Sequence, residues 1–193
     1  TLAFTTDITL SLDELPPKQN MLVAVHFNSI QESLEAVVVA MKHNLYTCEL
    51  MDKTILDCTK NNREQRLNRF FLEGVPEAIL MLEVASDEID KTQTLAENLI
   101  EDLKNNHFGY AYPILKGHDI NKATSLRKAG LGLLGNIVGD RKAVACIEDT
   151  AVEVKDLPQY IAEFTAMMAA FGQEAVYYAH AGAGELHLRP ILN

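Results

Sequence analysis

Met21-Leu22-Val23-Ala24-Val25-His26-Phe27 runs directly into Asn28-Ser29-Ile30-Gln31-Glu32, and this join decides how the chain folds. The first seven residues form an apolar run with β-branched members, the signature of a strand. Ser29 with Glu32 three residues later has the form of a capping box, which opens a helix. Leu34, Val37, Val38 and Met41 then recur at helical spacing. Leu45–Met51 is again strand-like, so the unit is strand–helix–strand. A short helix is expected from Asp52, and Asn61–Asn68 is too polar to be core.

The same unit occurs twice more. Ala78–Val84 is apolar, Ser86 is placed to cap a helix reaching about Lys104, and Leu95, Leu99 and Leu103 share one face. Gly109–Leu115 returns as a strand. A linking helix from Asp119 through Leu134 carries Arg127, with Gly130, Gly132 and Gly135 weakening its far end. The third copy begins at Ala143–Ile147 and continues through a helix from about Leu157 to Phe171, with Asp156 as cap and Pro158 in the first turn. It closes at Val176–His180. Repeated βαβ units joined by hairpins predict an α+β fold, ferredoxin-like and duplicated or elaborated, with an antiparallel sheet and helices on one face. Periodicity alone leaves a parallel α/β sheet open.

The 193 residues suffice for one domain with its own core. Apolar residues make up 48% and charged residues 23%, an ordinary globular composition. A net charge of −10 with scattered Lys and Arg excludes a nucleic-acid reader, which needs a basic stripe. No apolar run reaches the roughly 20 residues of a membrane span. Cys48, Cys58 and Cys146 are odd in number and lack a Cys-x-x-Cys pair, which reads as reduced core residues of a cytosolic protein.

The sequence from Tyr177 to Pro190 carries the chemistry: Tyr-Tyr-Ala-His-Ala-Gly-Ala-Gly-Glu-Leu-His-Leu-Arg-Pro. Gly182 and Gly184 argue for strand–turn–strand. If the turn is Ala181–Gly184, His180 pairs with Glu185 and Tyr178 with His187. The period of two then puts both histidines on one face, as diagonal neighbours about 7–8 Å apart. Such a pair can share a metal ion or a substrate; spacing alone is equally satisfied by two polar residues in a hairpin. Arg189 lies two residues beyond His187 and shares its face. His26, His43, His107 and His118 have no partners at ligand spacing and are expected at the surface or the edge of the core.

This segment resembles the Gly-His-x-Gly-Asp-Gly-Asn-Leu-His signature of the FAD-linked oxidases of the vanillyl-alcohol-oxidase superfamily, which includes D-lactate dehydrogenases, the glycolate oxidase subunit and D-2-hydroxyglutarate dehydrogenases. Ile147-Glu148-Asp149-Thr150-Ala151-Val152 is similar to that family's Glu-Asp-x-Ala-Val-Pro. Leu126-Arg127-Lys128-Ala129-Gly130 is similar to its arginine-bearing helix, and Thr1–Leu10 to the strand leaving the FAD-binding domain. His-Ala-Gly-Ala-Gly and Leu-His-x-Arg-Pro are closest to the large bacterial members that append an iron–sulfur domain. The sequence departs where the family's turn Asp is Ala183 and its Asn is Glu185, and where D-2-hydroxyglutarate dehydrogenases have an asparagine in place of Arg189.

The resemblance implies that residues 1–193 are an excised C-terminal substrate, or cap, domain, with residues 1–15 as the junction strand. It implies FAD in the full-length protein, held by a separate FAD-binding domain, and oxidation of a small 2-hydroxy acid such as D-lactate or D-2-hydroxyglutarate. His180 and His187 are the implied catalytic residues. They are also the implied ligands of zinc or another divalent metal, whose third ligand, a glutamate, lies outside the chain. Arg127 is implied to grip the substrate carboxylate, a task suited to a guanidinium fork. Arg189 is expected either to meet a second carboxylate or to pair with Glu185. Glu148-Asp149 reads equally as turn chemistry. An iron–sulfur cluster in the parent chain, and a membrane reached only through an electron acceptor, complete the expectation. The rival is a non-catalytic ferredoxin-like module that senses a small acid or a metal.

Overall fold

The computed structural model describes residues 2–12 and 15–193. Its strands are β1 (Gln19–Phe27), β2 (Thr47–Asp52), β3 (Ala78–Ser86), β4 (Ile114–Lys116), β5 (Lys142–Ala143), β6 (Ile147–Ala151), β7 (Ala175–His180) and β8 (Glu185–Leu192). Its helices are α1 (Ile30–Ala40), α2 (Lys53–Lys60), α3 (Ile89–Asn105), α4 (His118–Leu133) and α5 (Leu157–Ala170). The strands form one sheet in the order β4-β1-β3-β2-β7-β8-β5, with β6 also on β8, and every pairing is antiparallel.

The order β4-β1-β3-β2 is that of a ferredoxin-like unit. In β1-α1-β2 and in β3-α3-β4 the two strands leave room for a third between them, which lies antiparallel to both. The third copy, β6-α5-β7, follows the same rule with β8 in the gap. This α+β architecture is the one that the repeated units predict.

The helices of the three repeats lie on one face. Met21, Val23, Val25 and Phe27 of β1 join Leu34 and Val37 of α1, Leu99 and Leu103 of α3, and Leu157 and Ile161 of α5 in one core. The linking helices α2 and α4 add a layer on the opposite face. There Leu22 and Ala24 pack with Ile55, Leu56, Ile120, Ala123 and Leu126. The physical reason is visible in β1 and β3, which are buried on both sides nearly throughout. A strand without polar alternation must be covered twice.

Capping is local and follows the sequence at α1, where Glu32 N–H donates to Ser29 Oγ at 3.1 Å. Ser86 does not cap α3: its hydroxyl meets Thr92 Oγ1 at 2.7 Å, and Glu88 occupies the cap position. Asp156 precedes α5 without a side-chain capping bond.

Four expectations change. Residues 2–12 form no strand, and Leu2, Phe4, Ile8, Leu10 and Leu12 are exposed; Thr1, Asp13 and Glu14 lie outside the described residues. A strand needs a ladder partner, and none of the described strands pairs with this segment. The strand expected over Gly109–Leu115 shrinks to Ile114–Lys116 plus one bridge between His26 and Ala111, because Pro113 has no N–H to give. The strand expected over Ala143–Ile147 divides into β5 and β6, which share the outer edge of β8. His26 is fully buried instead of lying at an edge: its Nδ1 meets Ala24 O at 2.9 Å and its Nε2 accepts from Glu73 N–H at 3.2 Å. Burial lowers its pKa, so it is a neutral core histidine.

Candidate functional site

The turn between β7 and β8 is a short 3-10 turn, Ala181–Ala183, closed by Gly184 in the left-handed region at φ 70°. A Cβ on Gly184 would enter the carbonyl of Val152, so only glycine fits there. This turn sets the register His180↔Glu185, Tyr178↔His187 and Val176↔Arg189. Both imidazoles therefore share the face that carries α2 and α4, with ring centroids 5.5 Å apart. Tyr178 lies beside them, 5.6 Å from the His187 ring.

Each histidine is backed by a carboxylate that is itself held by an arginine. Glu49 of β2 sits next to His180, and its carboxylate lies 3.0 Å from His180 Nδ1. The same carboxylate accepts from Arg127 Nη2 at 2.5 Å. Glu148 of β6 approaches His187 Nδ1 to 2.8 Å, off the line of a hydrogen bond, and accepts from Arg189 Nε at 2.7 Å. Asp149 adds a second oxygen 3.2 Å from His187 Nδ1. The register of β6 against β8 slips between Ile147 and Thr150, and Asp149 sits at φ 55°. That bulge turns two consecutive carboxylates toward one histidine.

Two Arg–Glu–His relays thus converge: Arg127–Glu49–His180 and Arg189–Glu148–His187. At His180 the Glu49 carboxylate at Nδ1 fixes the ring and leaves Nε2 free, the arrangement usual around metal-binding or proton-transferring histidines; at His187 the contact with Glu148 is electrostatic, without a hydrogen bond. Glu49 was not visible as a site residue in the sequence. Its signal is a lone charge inside Cys48-Glu49-Leu50-Met51, where strand parity aims it at the same face as Met51. Glu148, equally readable as a turn residue, instead braces His187.

The arginines differ from expectation. Arg127, implied by the resemblance to grip a substrate carboxylate, is only 7% exposed. Besides Glu49 it donates to Ala179 O at 3.1 Å and stacks over Tyr178, with Cζ 4.1 Å from the ring centre. Its Nε has no partner among the described residues. The cause is the stripe Ile120-Ala123-Leu126-Arg127-Gly130, which α4 buries against the sheet and α2. Arg189 pairs with Glu148 and not with Glu185. Burial raises the Tyr178 pKa, and the Arg127 charge pulls it back only in part.

Two further features bear on ligands. A cleft of about 300 Å³ flanks His180 and Glu49, walled by Met41, Cys48 and Gly182. One donor atom from each of His180, Glu185 and His187 lies within 4.8 Å of the others, so these side chains fit a small cation. The positive-φ glycines are scattered singly, and no glycine-rich strand-to-helix turn for a pyrophosphate occurs among the described residues. No described helix is long and apolar enough to cross a membrane.

Comparison with known proteins agrees with this geometry. Residues 16–193 match the family described as FAD linked oxidases, C-terminal domain. A D-2-hydroxyglutarate dehydrogenase of Pseudomonas putida is 28% identical over 196 residues, covering 96% of this chain and 19% of that protein. The D-2-hydroxyglutarate dehydrogenases of Pantoea ananatis and Escherichia coli are 27% and 28% identical over the whole chain. The chain spans about a fifth of the length of these relatives. A histidine hairpin on an antiparallel α+β sheet, joined to a family match over nearly every residue, makes this chain a C-terminal domain of the FAD-linked oxidases.

Proposed function

We propose that the chain is the substrate-binding domain of an FAD-dependent D-2-hydroxyacid dehydrogenase that converts D-lactate, D-2-hydroxyglutarate or a similar acid to the 2-oxo acid. The observation that carries this reading is the histidine pair, 5.5 Å apart and held by two Arg–Glu relays. The D-2-hydroxyglutarate dehydrogenases among the relatives favour that acid as substrate.

When bound to a separate FAD-binding domain of the same polypeptide, FAD would supply the acceptor for the C2 hydride. His180 and His187 present Nε2 to the substrate hydroxyl, and one of them takes its proton, a role matched to imidazole near neutral pH. Glu49 and Glu148 hold the rings so that the basic nitrogens face the acid and stay unblocked. Arg127 and Arg189 serve substrate binding by offsetting two glutamates that would repel a carboxylate. As an alternative to the proton-transfer role, His180 and His187 would hold a divalent metal through Nε2; neither ring would then take the proton, and the ion's charge would favour an anionic substrate at a surface rich in carboxylates. The three unpaired cysteines fit a reducing compartment, and we place the protein in the cytoplasm, with any membrane reached through the electron acceptor.

The test is anaerobic reduction of the full-length flavoprotein. D-lactate or D-2-hydroxyglutarate should bleach the flavin and the L-enantiomers should not. His187→Ala should retain FAD yet reduce it at least about 100-fold more slowly, the share of a lost general base. A full-length protein without flavin, or one that no 2-hydroxy acid reduces, would leave the sensing module as the better account.

A further inference from the structure

The two histidines are held differently. His180 Nδ1 is hydrogen-bonded to the Glu49 carboxylate at 3.0 Å. His187 Nδ1 has no hydrogen bond among the described residues; Glu148 and Asp149 lie 2.8 and 3.2 Å from it, off the line of a bond. Such charge draws the Nδ1 edge of the ring inward, but it prefers no direction and leaves the tilt of the ring open. Stacking is the contact that can supply the tilt. Tyr178, directly across the β7–β8 ladder, has its ring centre 5.6 Å from that of His187, with 37° between the planes. His180 meets the His187 ring edge-on at 76°, but its own side chain is 43% exposed.

Tyr178 is the rigid member of this group. It is 5% exposed, in the core layer that it shares with Leu126 of α4, and Arg127 Cζ stands 4.1 Å from its ring centre. A guanidinium laid on an aromatic ring holds both planes. Arg127 is pinned in turn by Glu49 and by Ala179 O. One line of contacts therefore runs from Glu49 through Arg127 and Tyr178 to His187, and it crosses from the first relay to the second.

We propose that Tyr178 is a positioning residue that sets the tilt of the His187 ring and, through its stack with Arg127, joins the two relays into one unit. The inference rests on the reading of the histidines as the groups that face the substrate hydroxyl, and it needs no metal. Charge from Glu148 selects which edge of His187 turns inward; the Tyr178 ring selects where Nε2 then points. A ring free to tilt spends time with Nε2 away from the hydroxyl, so the loss falls on the reacting step more than on binding. The aromatic ring carries this role and the phenol oxygen does not. The competing account makes Tyr178 ordinary core packing under α4.

The experiment measures imidazole ring order by ¹³C relaxation NMR in the 193-residue chain, and anaerobic flavin reduction in the full-length protein. Tyr178→Leu should lower the order parameter of the His187 ring and leave that of His180, which Glu49 holds, as in the parent. Glu148→Gln should leave the His187 ring ordered. In the full-length protein Tyr178→Leu should slow flavin reduction at saturating acid by about 10–100-fold with little change in the dissociation constant, and Tyr178→Phe should restore the parent rate. Arg127→Lys keeps the charge and leaves the core intact but loses the flat stack. It should loosen His187 in the parent and add nothing in the Tyr178→Leu background, the mark of two residues acting in one line. A His187 ring still ordered in Tyr178→Leu overturns the proposal, as does disorder in Glu148→Gln alone. Loosening of both histidines together, with altered far-ultraviolet circular dichroism, assigns Tyr178 to packing and also overturns it. Should Tyr178→Leu fail to fold, an unchanged His187 ring in Arg127→Lys does the same. A parent protein that no 2-hydroxy acid reduces sinks the dehydrogenase reading, and the relaxation data then decide the role of Tyr178 separately.

Discussion

Arg127 shows how one residue changes meaning between sequence and structure. On a helical wheel it is a charge among apolar neighbours, and the resemblance assigns it to a substrate carboxylate. Folded, it is buried against Glu49, Ala179 O and the Tyr178 ring. Replacing it with leucine leaves Glu49 beside His180 without its cation. Removing one partner of a fully buried pair costs about 3–5 kcal/mol; Glu49 keeps some solvent, so about 2–3 kcal/mol is expected. Urea denaturation should show this for Arg127→Leu and a smaller loss for Arg189→Leu. Asp52 gives a pH-dependent counterpart. Its carboxylate accepts from Ile55 N–H at 3.0 Å and Tyr177 N–H at 2.9 Å. Burial nevertheless pushes its pKa up to about 7, against the downward pull of these N–H groups. A raised acid pKa means that the folded state binds the proton more tightly. Stability from Asp52 is therefore full below about pH 4, its unfolded value, and is lost as pH rises through about 7. His26, with its lowered pKa, acts in the opposite sense and loses stability as pH falls below about 6.5. Urea midpoints from pH 4 to 8 should thus carry a downward slope, at most about 1.4 kcal/mol per pH unit, that is absent in Asp52→Asn. A slope unchanged by that substitution would clear Asp52 as its source.

At the scale of elements, two glycines matter for different reasons. Gly184 ends the turn with positive φ and has no room for a Cβ against Val152. Gly184→Ala should move β8 relative to β6, cost about 1–3 kcal/mol, and disturb both histidines. Shifted imidazole NMR resonances for His180 and His187, with the rest of the spectrum retained, would show this. Gly130 is helical, and its Cβ would overlap Ile55 of α2. The sequence marked Gly130 as a weak point of α4; the packing makes it the contact that lets α4 lie against α2. Gly130→Ala gains up to about 1 kcal/mol of helix propensity but overpacks by about 1–3 kcal/mol, so thermal melting should show a net loss.

For the molecule as a whole, local pattern accounts for the repeats and long-range contacts for the site. Residues 2–12 expose their apolar side chains and join no ladder. Deleting residues 1–15 should therefore change the stability of the chain by no more than about 0.5 kcal/mol in denaturant. A larger loss would show that the segment packs on the sheet. The three strand–helix–strand units, the 3.6-residue stripes of α1, α3 and α5, and the parity of the His180–His187 hairpin follow from the amino-acid order alone, whereas the choice of an antiparallel over a parallel sheet does not. Each of the former depends only on neighbours within one element or one tight turn. The layer of α2 and α4, the inward turn of Arg127, and the bracing of each histidine by Glu49 and Glu148 were decided by tertiary structure. Glu49 lies 131 residues from His180 along the chain. Only the β2–β7 pairing joins them, and strand pairing across the sheet is set by which apolar faces the whole chain can bury together.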